Sequence, residues 1–256
     1  MQDERGLIEE ARNLGGDYFL LKIAAPRISA SVRPGNFVMA RISPAFDPLL
    51  RRPFGVLENR PPYIWLYYQV RGRGTRLLSA LRHGDSLDLL GPLGNSFPEM
   101  PGKRVLLIAG GRGIVPLFHY ARAYGERRDL LLLYGGRSKA DLPLLERIRS
   151  LTLQRLVVFS EDASVGQKGR VSDGLDPILL EEKPQATLSC GPEAMLAALA
   201  AKLKGYPTRD LVSLEARMAC GFGVCQGCAV RAVDGSFRRV CDEGPVFPLE
   251  EMQWPT

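Results

Sequence analysis

The stretch "RVLLIAGGRGIVPLFHYARAYGE", residues 104–126, decides the fold. Its apolar start, glycine loop and long final segment predict a buried β-strand, a tight turn and an α-helix, with Pro116 in the first helical turn. The same order recurs in "DLLLLYGGRSKADLPLLERIRS" (129–150) and "ATLSCGPEAMLAALAAKL" (186–203), and "RLVVFSE" (155–161) adds a further strand. This alternation predicts a parallel α/β domain.

Ligands of such a sheet bind at the carboxyl ends of its strands. The candidate nucleotide-binding residues at those ends are Gly110, Gly111, Gly113, Cys190, Gly191 and Pro192. A plain strand-to-helix turn is the alternative for "GGRGIV", because it lacks the full G-x-G-x-x-G pattern. Cys190 is either a buried structural thiol or a residue at the mouth of the nucleotide site. His83 and His119 are predicted to be a turn residue and a helix residue rather than catalysts.

The chain before this domain has a different pattern. From about residue 7 to 90 it reads as short strands with alternating apolar positions, such as "DYFLLKIA" (17–24), "GNFVMARI" (35–42) and "YIWLYYQV" (63–70). Glycine and proline turns separate these strands. The pattern predicts a small antiparallel β-barrel.

Two segments of the predicted barrel indicate an anion site. In "GRGTRLLSAL" (72–81), Gly72 and Gly74 leave backbone amides open, and Thr75 is placed to cap a short helix. In "PLLRRPFGV" (48–56), Arg52 is placed to add a charge-assisted hydrogen bond to the same anion. Separately, each segment is also typical of a surface arginine or an ordinary turn. Together they predict a diphosphate site.

Four cysteines near the end of the chain indicate a metal site. They lie in "ACGFGVCQGCAV" (219–230) and "RRVCDEG" (238–244) with the spacing C-x4-C-x2-C-x12-C. The first three match the plant-type [2Fe-2S] spacing, and Gly221, Gly223 and Gly227 let a loop turn around a cluster. Structural zinc, which more often uses two short cysteine pairs, and unligated thiols are the alternatives.

Composition narrows the class of protein. The chain has 256 residues, 45% of them hydrophobic, and a formal net charge of +6 that is spread along the chain rather than clustered, so we expect no nucleic-acid partner. Its apolar runs are too short to span a bilayer, and "MQDERGLIEE" lacks the build of a signal peptide. We therefore expect a cytoplasmic protein without membrane contact. The expected domains are an antiparallel β-barrel (1–98), an α/β nucleotide domain (99–208) and a cluster domain (209–256).

Several motifs resemble a known family. "RRPFGV" with "GRGT", and "GGRGIVP" with "CGPEAM", are similar to the flavin and pyridine-nucleotide modules of the ferredoxin reductase superfamily. "DPLLRRP", "GPLGNSF", "SLEARMACGFGVCQGC" and "VCDEGPVF" resemble, over nearly the whole chain, the electron-transfer subunits of type B dihydroorotate dehydrogenases.

The resemblance implies FAD, one [2Fe-2S] cluster and NAD. It also implies a separate FMN-containing catalytic subunit that interconverts dihydroorotate and orotate in pyrimidine synthesis, in a heterotetramer of two plus two subunits. Electrons would pass from that FMN through the cluster and FAD to NAD+, with no catalytic acid or base in this chain. Segment 221–228 would face the partner. The alternatives are a subunit of another NAD(P)-linked complex, of ferredoxin reductase or sulfhydrogenase type, and a zinc-binding interaction module.

The resemblance also implies site residues. By position, the FAD residues are Arg52, Pro53, Phe54, Gly55, Tyr67, Tyr68, Gln69, Gly74 and Thr75, and the cluster ligands are Cys220, Cys225, Cys228 and Cys241. Gly55 stands where the family often has serine, which removes a hydroxyl group near the flavin. Arg112 enlarges the nucleotide glycine loop and adds a positive charge. Arg137 and Lys139 keep a contact to the 2′-phosphate of NADP open.

Overall fold

The computed structural model describes residues 1–43 and 45–255, and within them the amino-terminal part forms a closed antiparallel barrel. Its strands are β1 (Gln2–Gly15), β2 (Tyr18–Ala24), β3 (Phe37–Arg41), β4 (Arg52–Arg60), β5 (Tyr63–Gln69) and β6 (Ser86–Leu93). They run in the order β1-β2-β5-β4-β3-β6, and pairing of β6 with β1 closes the barrel. Closure leaves no long unpaired edge. The predicted barrel is confirmed.

The alternating apolar positions of these strands fill the barrel interior. The residues buried there include Ile8, Leu21, Ile23, Val38, Val56, Ile64, Leu66 and Leu89. Two short helices, α1 (Pro26–Ser29) and α2 (Arg73–Leu78), lie in the connections after β2 and β5. The strand periodicity read from the sequence therefore places one side of each strand in the core and leaves the other to face neighbouring parts of the molecule.

The middle of the chain forms a parallel sheet with flanking helices. Its strands are β7 (Arg104–Gly110), β8 (Asp129–Gly136), β9 (Arg155–Ser160), β10 (Gln167–Lys168), β11 (Ala186–Cys190) and β12 (Arg209–Ser213), in the order β10-β9-β8-β7-β11-β12. The helices are α3 (Ile114–Tyr124), α4 (Leu145–Arg149), α5 (Leu175–Glu182) and α6 (Glu193–Leu203). The strand order reverses between β7 and β11, and such a switch point opens a ligand crevice. The predicted α/β domain is confirmed.

The final segment continues this sheet and adds a hairpin. Strands β13 (Ala229–Arg231) and β14 (Phe237–Arg239) pair with each other, and β15 (Val246–Pro248) pairs antiparallel with β12. β12 lies in the range expected for the cluster domain, yet it pairs parallel with β11. The expected divisions after residues 98 and 208 stay a prediction.

A buried carboxylate joins the barrel to the α/β sheet. The side chain of Glu58 on β4 is 2% exposed and accepts hydrogen bonds from Arg147 on α4 at 2.5 Å and from Arg60 at 2.6 Å. Arg122 on α3 pairs with it at 3.3 Å. Burial opposes its charge, but the bonds to Arg147 and Arg60 prevail and lower its pKa. Because its partners come from both parts, Glu58 fixes the barrel against the helices.

In the described ranges, each helix is too short or too polar to cross a membrane.

Candidate cofactor sites

A cavity of about 270 Å³ lies between the barrel and the α/β sheet. Eight of the predicted cofactor residues line it: Pro53, Phe54, Gly55, Tyr67, Tyr68, Gln69, Thr75 and Cys190. The first six lie on β4 and β5, which are neighbours in the barrel, so the closed barrel brings their side chains to one wall. Sequence reasoning missed Phe37 and Val115 in this wall, because their apolar side chains look like ordinary core residues.

Two tyrosine hydroxyl groups in this cavity wall have unmet hydrogen-bonding capacity. The hydroxyls of Tyr67 and Tyr68 are buried and find no hydrogen-bond partner among the described residues. Burial raises the pKa of both phenols well above the usual value, so both hydroxyls stay protonated donors. A buried polar group without a partner is costly. The wall therefore fits a flat, polar-edged ligand such as the isoalloxazine ring of a flavin.

The predicted anion turn lies beside this cavity. A Cβ atom added at Gly74 would lie 3.2 Å from Arg52 Nε, so the Arg52 guanidinium lies directly over the turn. The N-cap of α2 is Gly72, and Thr75 is the third residue of the helix. The Thr75 hydroxyl accepts hydrogen bonds from the amides of Arg71 at 2.9 Å and Gly72 at 3.2 Å. Thr75 therefore caps α2 from the third helical position, because the N-cap residue, Gly72, has no side chain.

A second cavity, of about 550 Å³, opens at the carboxyl ends of the parallel strands. The predicted nucleotide residues Gly110, Gly111, Gly113, Gly191 and Pro192 line it. A Cβ atom at Gly113 would lie 2.1 Å from the carbonyl oxygen of Cys190, so only glycine lets the start of α3 approach β11 this closely. Arg137 also lines the cavity, whereas Lys139 is not among its lining residues.

Cys190 is a buried thiol, which is one of its two expected descriptions, and it is not among the residues that line the second cavity, so its place at the nucleotide site stays a prediction. Its side chain is buried, and it lies in the wall of the first cavity. Burial, followed by the nearby charge of Glu215, raises the pKa of the thiol, so it stays neutral. His83 and His119, which were not expected to be catalysts, do not line either cavity. His83 Nδ1 lies 3.0 Å from the carbonyl oxygen of Glu9, and His119 Nε2 lies 2.8 Å from Asn59 Oδ1.

The two cavities share a wall. Its residues, Gln69, Arg71, Arg112 and Glu215, line both. Sequence analysis singled out Gln69 and Arg112 as residues near a cofactor, but it did not single out Arg71 or Glu215. Arg71 adjoins the "GRGT" turn, which is a usable signal. Glu215 follows β12 and reaches the wall only because β12 lies beside β11, a pairing that no local pattern reveals.

The four predicted cluster cysteines come together as two pairs. Cys228 Sγ lies 3.2 Å from Cys241 Sγ, and the amide of Cys225 donates to Cys220 Sγ at 3.5 Å. The amide of Gly223 donates to Cys241 Sγ at 3.1 Å. Among the described side chains, three or more metal ligands do not converge on one ion position. Two cysteine pairs fit a [2Fe-2S] cluster, in which each iron takes two protein ligands.

Two glycines with positive φ angles let the cysteine loop turn. Gly221 and Gly223 have φ angles of +84° and +86°, which favour glycine, and a Cβ atom at Gly221 would lie 2.5 Å from Met39 Cγ on β3. Burial opposes a charge on Cys220, but the amides of Cys225, Phe222 and Val224 outweigh it and lower the thiol pKa to about 6. Thiolates bind iron, so amides aimed at sulfur suit a cluster loop.

One side of this loop is exposed. Cys225 is exposed, whereas Cys228 and Cys241 are buried. Phe222 and Val224 are 45% and 73% exposed. On the inner side, Leu214, Ala216 and Met218 line the first cavity, and Cys220 follows two residues later. The loop therefore connects the wall of the first cavity to the molecular surface.

The barrel, the parallel sheet and their two adjoining cavities define an oxidoreductase of the ferredoxin reductase-like class. A model of the oxidoreductase NAD-binding domain matches residues 107–201, and a model of the iron-sulfur cluster binding domain of dihydroorotate dehydrogenase B matches residues 215–253. The chain belongs to the family of dihydroorotate dehydrogenase B (NAD+) electron transfer subunits. The recognised resemblance is confirmed.

Two relatives carry this assignment. The chain is 36% identical over 241 residues to the electron transfer subunit homolog of Aquifex aeolicus, with 93% of this chain and 94% of the relative covered. It is 39% identical over 222 residues to the electron transfer subunit of Caldanaerobacter subterraneus subsp. tengcongensis, with 86% of each covered.

Solved structures share the fold. A chain of the NADH-dependent reduced ferredoxin-NADP oxidoreductase, described in connection with flavin-based electron bifurcation, superposes with a TM-score of 0.87 at 30% identity, covering 97% of this chain and 90% of that one. A ferredoxin NADP+ reductase from Neisseria gonorrhoeae superposes with a TM-score of 0.71 at 17% identity, covering 83% and 98%, which shows a common fold.

Proposed function

We propose that this chain passes electrons between the FMN of a dihydroorotate-oxidising catalytic subunit and NAD+, as the electron-transfer subunit of a dihydroorotate dehydrogenase in pyrimidine synthesis. The family to which it belongs supports this role. The proposed assembly contains two such chains and two catalytic subunits. A cytoplasmic location is part of the proposal, and the five free cysteines suit a reducing compartment.

The observation that carries the proposal is the continuity of three sites. The first cavity shares a wall with the second, and the segment that lines the first continues directly into Cys220. When bound, FAD and a [2Fe-2S] cluster supply the exchange between two-electron and one-electron chemistry that links a hydride carrier to another flavin. Transfer between such groups requires that they lie close together, and the three sites adjoin one another.

The side chains of this protein bind and orient rather than react. Tyr67 and Tyr68 offer neutral hydroxyls to the proposed flavin ring, and Arg52 with the Gly74–Thr75 turn offers donors to its diphosphate. The glycines of the second cavity, with Gly191 and Pro192, admit the nucleotide close to the strand ends. The proposed cluster ligands are Cys220, Cys225, Cys228 and Cys241. A catalytic acid or base for dihydroorotate belongs to the partner.

The exposed side of the cysteine loop is the proposed partner surface. Cys225 is the exposed member of the four cysteines, and Phe222 and Val224 beside it expose apolar side chains. Burial of such side chains stabilises a complex, and an exposed cluster edge shortens the distance to the partner's FMN. Segment 221–228 therefore faces the catalytic subunit in this proposal.

Co-purification tests the function. The chain, produced together with an FMN-containing dihydroorotate-oxidising subunit, should elute with it and give dihydroorotate-dependent reduction of NAD+. The variant Val224→Asp should weaken this assembly while leaving reduction of an artificial dye by NADH unchanged, and Val233→Asp, at another exposed valine, should assemble normally. A chain that neither co-elutes nor supports NAD+ reduction contradicts the proposal.

A second candidate is an electron-transfer subunit of a ferredoxin-linked NAD(P) complex. The specific observation in its favour is the 30% identity and TM-score of 0.87 with the NADH-dependent reduced ferredoxin-NADP oxidoreductase chain. Purification of the native complex separates the two. The first proposal predicts an FMN protein that oxidises dihydroorotate as the companion, and the second predicts a larger iron-sulfur protein that exchanges electrons with ferredoxin.

A further inference from the structure

Two arginines share one neutral acceptor in the wall between the cavities. Arg112 Nη1 donates to Gln69 Oε1 at 2.6 Å, and Arg71 Nε donates to the same oxygen at 3.0 Å. Gln69 ends β5 of the barrel, whereas Arg112 lies in the Gly111–Gly113 turn that leads into α3. An amide oxygen has two lone pairs, so Gln69 holds both guanidinium groups with its full acceptor capacity.

The two positive charges share their wall with one carboxylate, that of Glu215, which is not within ion-pair distance of either arginine among the described residues. Within residues 1–43 and 45–255, neither Arg71 nor Arg112 forms an ion pair with a carboxylate. The nearby Asp141 is already bound by Arg137 at 3.3 Å and by the hydroxyl of Tyr18 at 3.0 Å. Two like charges around one uncharged oxygen repel each other, and an anion placed against both relieves that repulsion.

Arg71 and Arg112 also have N–H donors that Gln69 does not use. A guanidinium carries five N–H donors in a flat fork that matches phosphate oxygens. Each of the two side chains uses one of these donors in its hydrogen bond to Gln69. Both arginines line the nucleotide cavity, and Arg112 belongs to its glycine turn. A group carrying two negative charges would match the two positive ones at that position.

We propose that Arg71 and Arg112, held together by Gln69, bind the diphosphate group of the pyridine dinucleotide. This inference rests on the proposed function, because it assigns the nucleotide to the second cavity. It makes Gln69 a positioning residue that acts through the two arginines. Since Gln69 and Arg71 belong to the barrel and Arg112 to the α/β part, the nucleotide would be held across both.

Direct binding measurements on the FAD-loaded protein test this proposal. The probes are ADP-ribose, which carries the diphosphate but no nicotinamide, and inorganic pyrophosphate as its competitor, both followed by titration calorimetry. Arg112→Met and Arg71→Met should each weaken ADP-ribose about tenfold, the scale of one charge-assisted contact, and weaken pyrophosphate competition in parallel. Arg76→Met, which removes an exposed positive charge from α2, is the matched control and should leave both unchanged.

A second variant leaves both arginines in place. Gln69→Glu puts a carboxylate between the guanidinium groups, so it should weaken ADP-ribose about tenfold although both positive charges remain. A purely structural role for Gln69 predicts unchanged binding, because a carboxylate accepts the same two hydrogen bonds. Each variant is first checked for an unchanged unfolding temperature.

The outcomes separate this inference from the proposed function. If the unaltered protein binds ADP-ribose but the three variants bind it equally well, the inference is wrong while the function stands. If the variants lose bound FAD and keep ADP-ribose affinity, the arginines serve the flavin diphosphate and the inference is again wrong. If the unaltered protein fails to bind ADP-ribose, the proposed function itself is contradicted.

Discussion

Val115 on α3 packs directly against Gly55 on β4, at a separation that leaves little room for a side chain. A Cβ atom at Gly55 would lie 3.0 Å from Val115 Cγ1, which is tighter than ordinary packing allows. Both residues line the first cavity. Gly55 stands where the family resemblance implies serine, and Val115 packs closely against it. The residues at positions 55 and 115 are therefore coupled.

Gly55→Ser should destabilise the protein by about 1–3 kcal/mol, because the added atoms crowd the side chain of Val115. Thermal unfolding of the FAD-loaded protein measures this effect. The double variant Gly55→Ser with Val115→Ala should recover part of the loss, since alanine frees the space that serine needs. Equal unfolding temperatures for the single variant and the unaltered protein would show that the contact is not tight.

Replacement of a buried cluster cysteine should abolish iron binding. Cys228→Ala removes one sulfur of the close Cys228–Cys241 pair, and a [2Fe-2S] cluster held by three thiolates is not retained. Iron and sulfide analysis of the purified protein checks this result. Cys190→Ala is the control and should keep full iron content, because Cys190 lies in the wall of the first cavity and is not one of the four proposed ligands. Equal iron content in both variants would contradict the assignment.

Glu58→Gln should lower stability by about 2 kcal/mol, since it removes the charge of a buried carboxylate that binds the half-buried Arg147 and the exposed Arg60 and Arg122. Thermal unfolding again provides the measurement. The control is Glu146→Gln, which breaks an exposed ion pair with Arg149 and should cost less than about 1 kcal/mol. If the two variants unfold alike, Glu58 does not fix the barrel against the helices.

His119 should make the protein less stable in mild acid. Burial lowers its pKa to about 4 in the folded protein, and the backbone at Val56 and the charge of Glu58 offset this only in part. The unfolded chain takes up a proton below about pH 6.5 and the folded protein does not, so stability falls by about 2 kcal/mol between pH 6.5 and 5. This contribution is fully present above pH 6.5.

The variant His119→Gln isolates that effect. Glutamine keeps a donor for Asn59 Oδ1 but does not titrate in this range, so the difference in unfolding temperature between pH 7.5 and 5 should shrink. An identical pH dependence in the two proteins would show that another group is responsible.

The sequence predicted those features that local patterns encode. The alternating strands of the barrel, the strand-turn-helix repeat at 104–126 and the cysteine spacing each follow from a few neighbouring residues. Because both cavities lie at ends of such elements, several residues of their walls were also predicted. The glycine at position 113 is a clear case, since its turn must approach Cys190 closely.

Features that depend on distant segments were not predictable. The fit of Val115 against Gly55 and the hydrogen bond from Arg112 to Gln69 each join the barrel to the α/β part. Pairing of β15 with β12 likewise brings the last strand into a sheet built by the middle of the chain. No short window of sequence contains both members of such a contact, so composition and periodicity give no sign of it.

The most direct test of the central claim is an anaerobic titration of the purified chain with NADH, followed by visible absorption together with iron, sulfide and flavin analysis. The proposed electron-transfer function predicts one flavin and about two iron atoms per chain, with the absorption of both groups bleached by NADH. A colourless protein that contains zinc, or a coloured one whose spectrum NADH leaves unchanged, would contradict it.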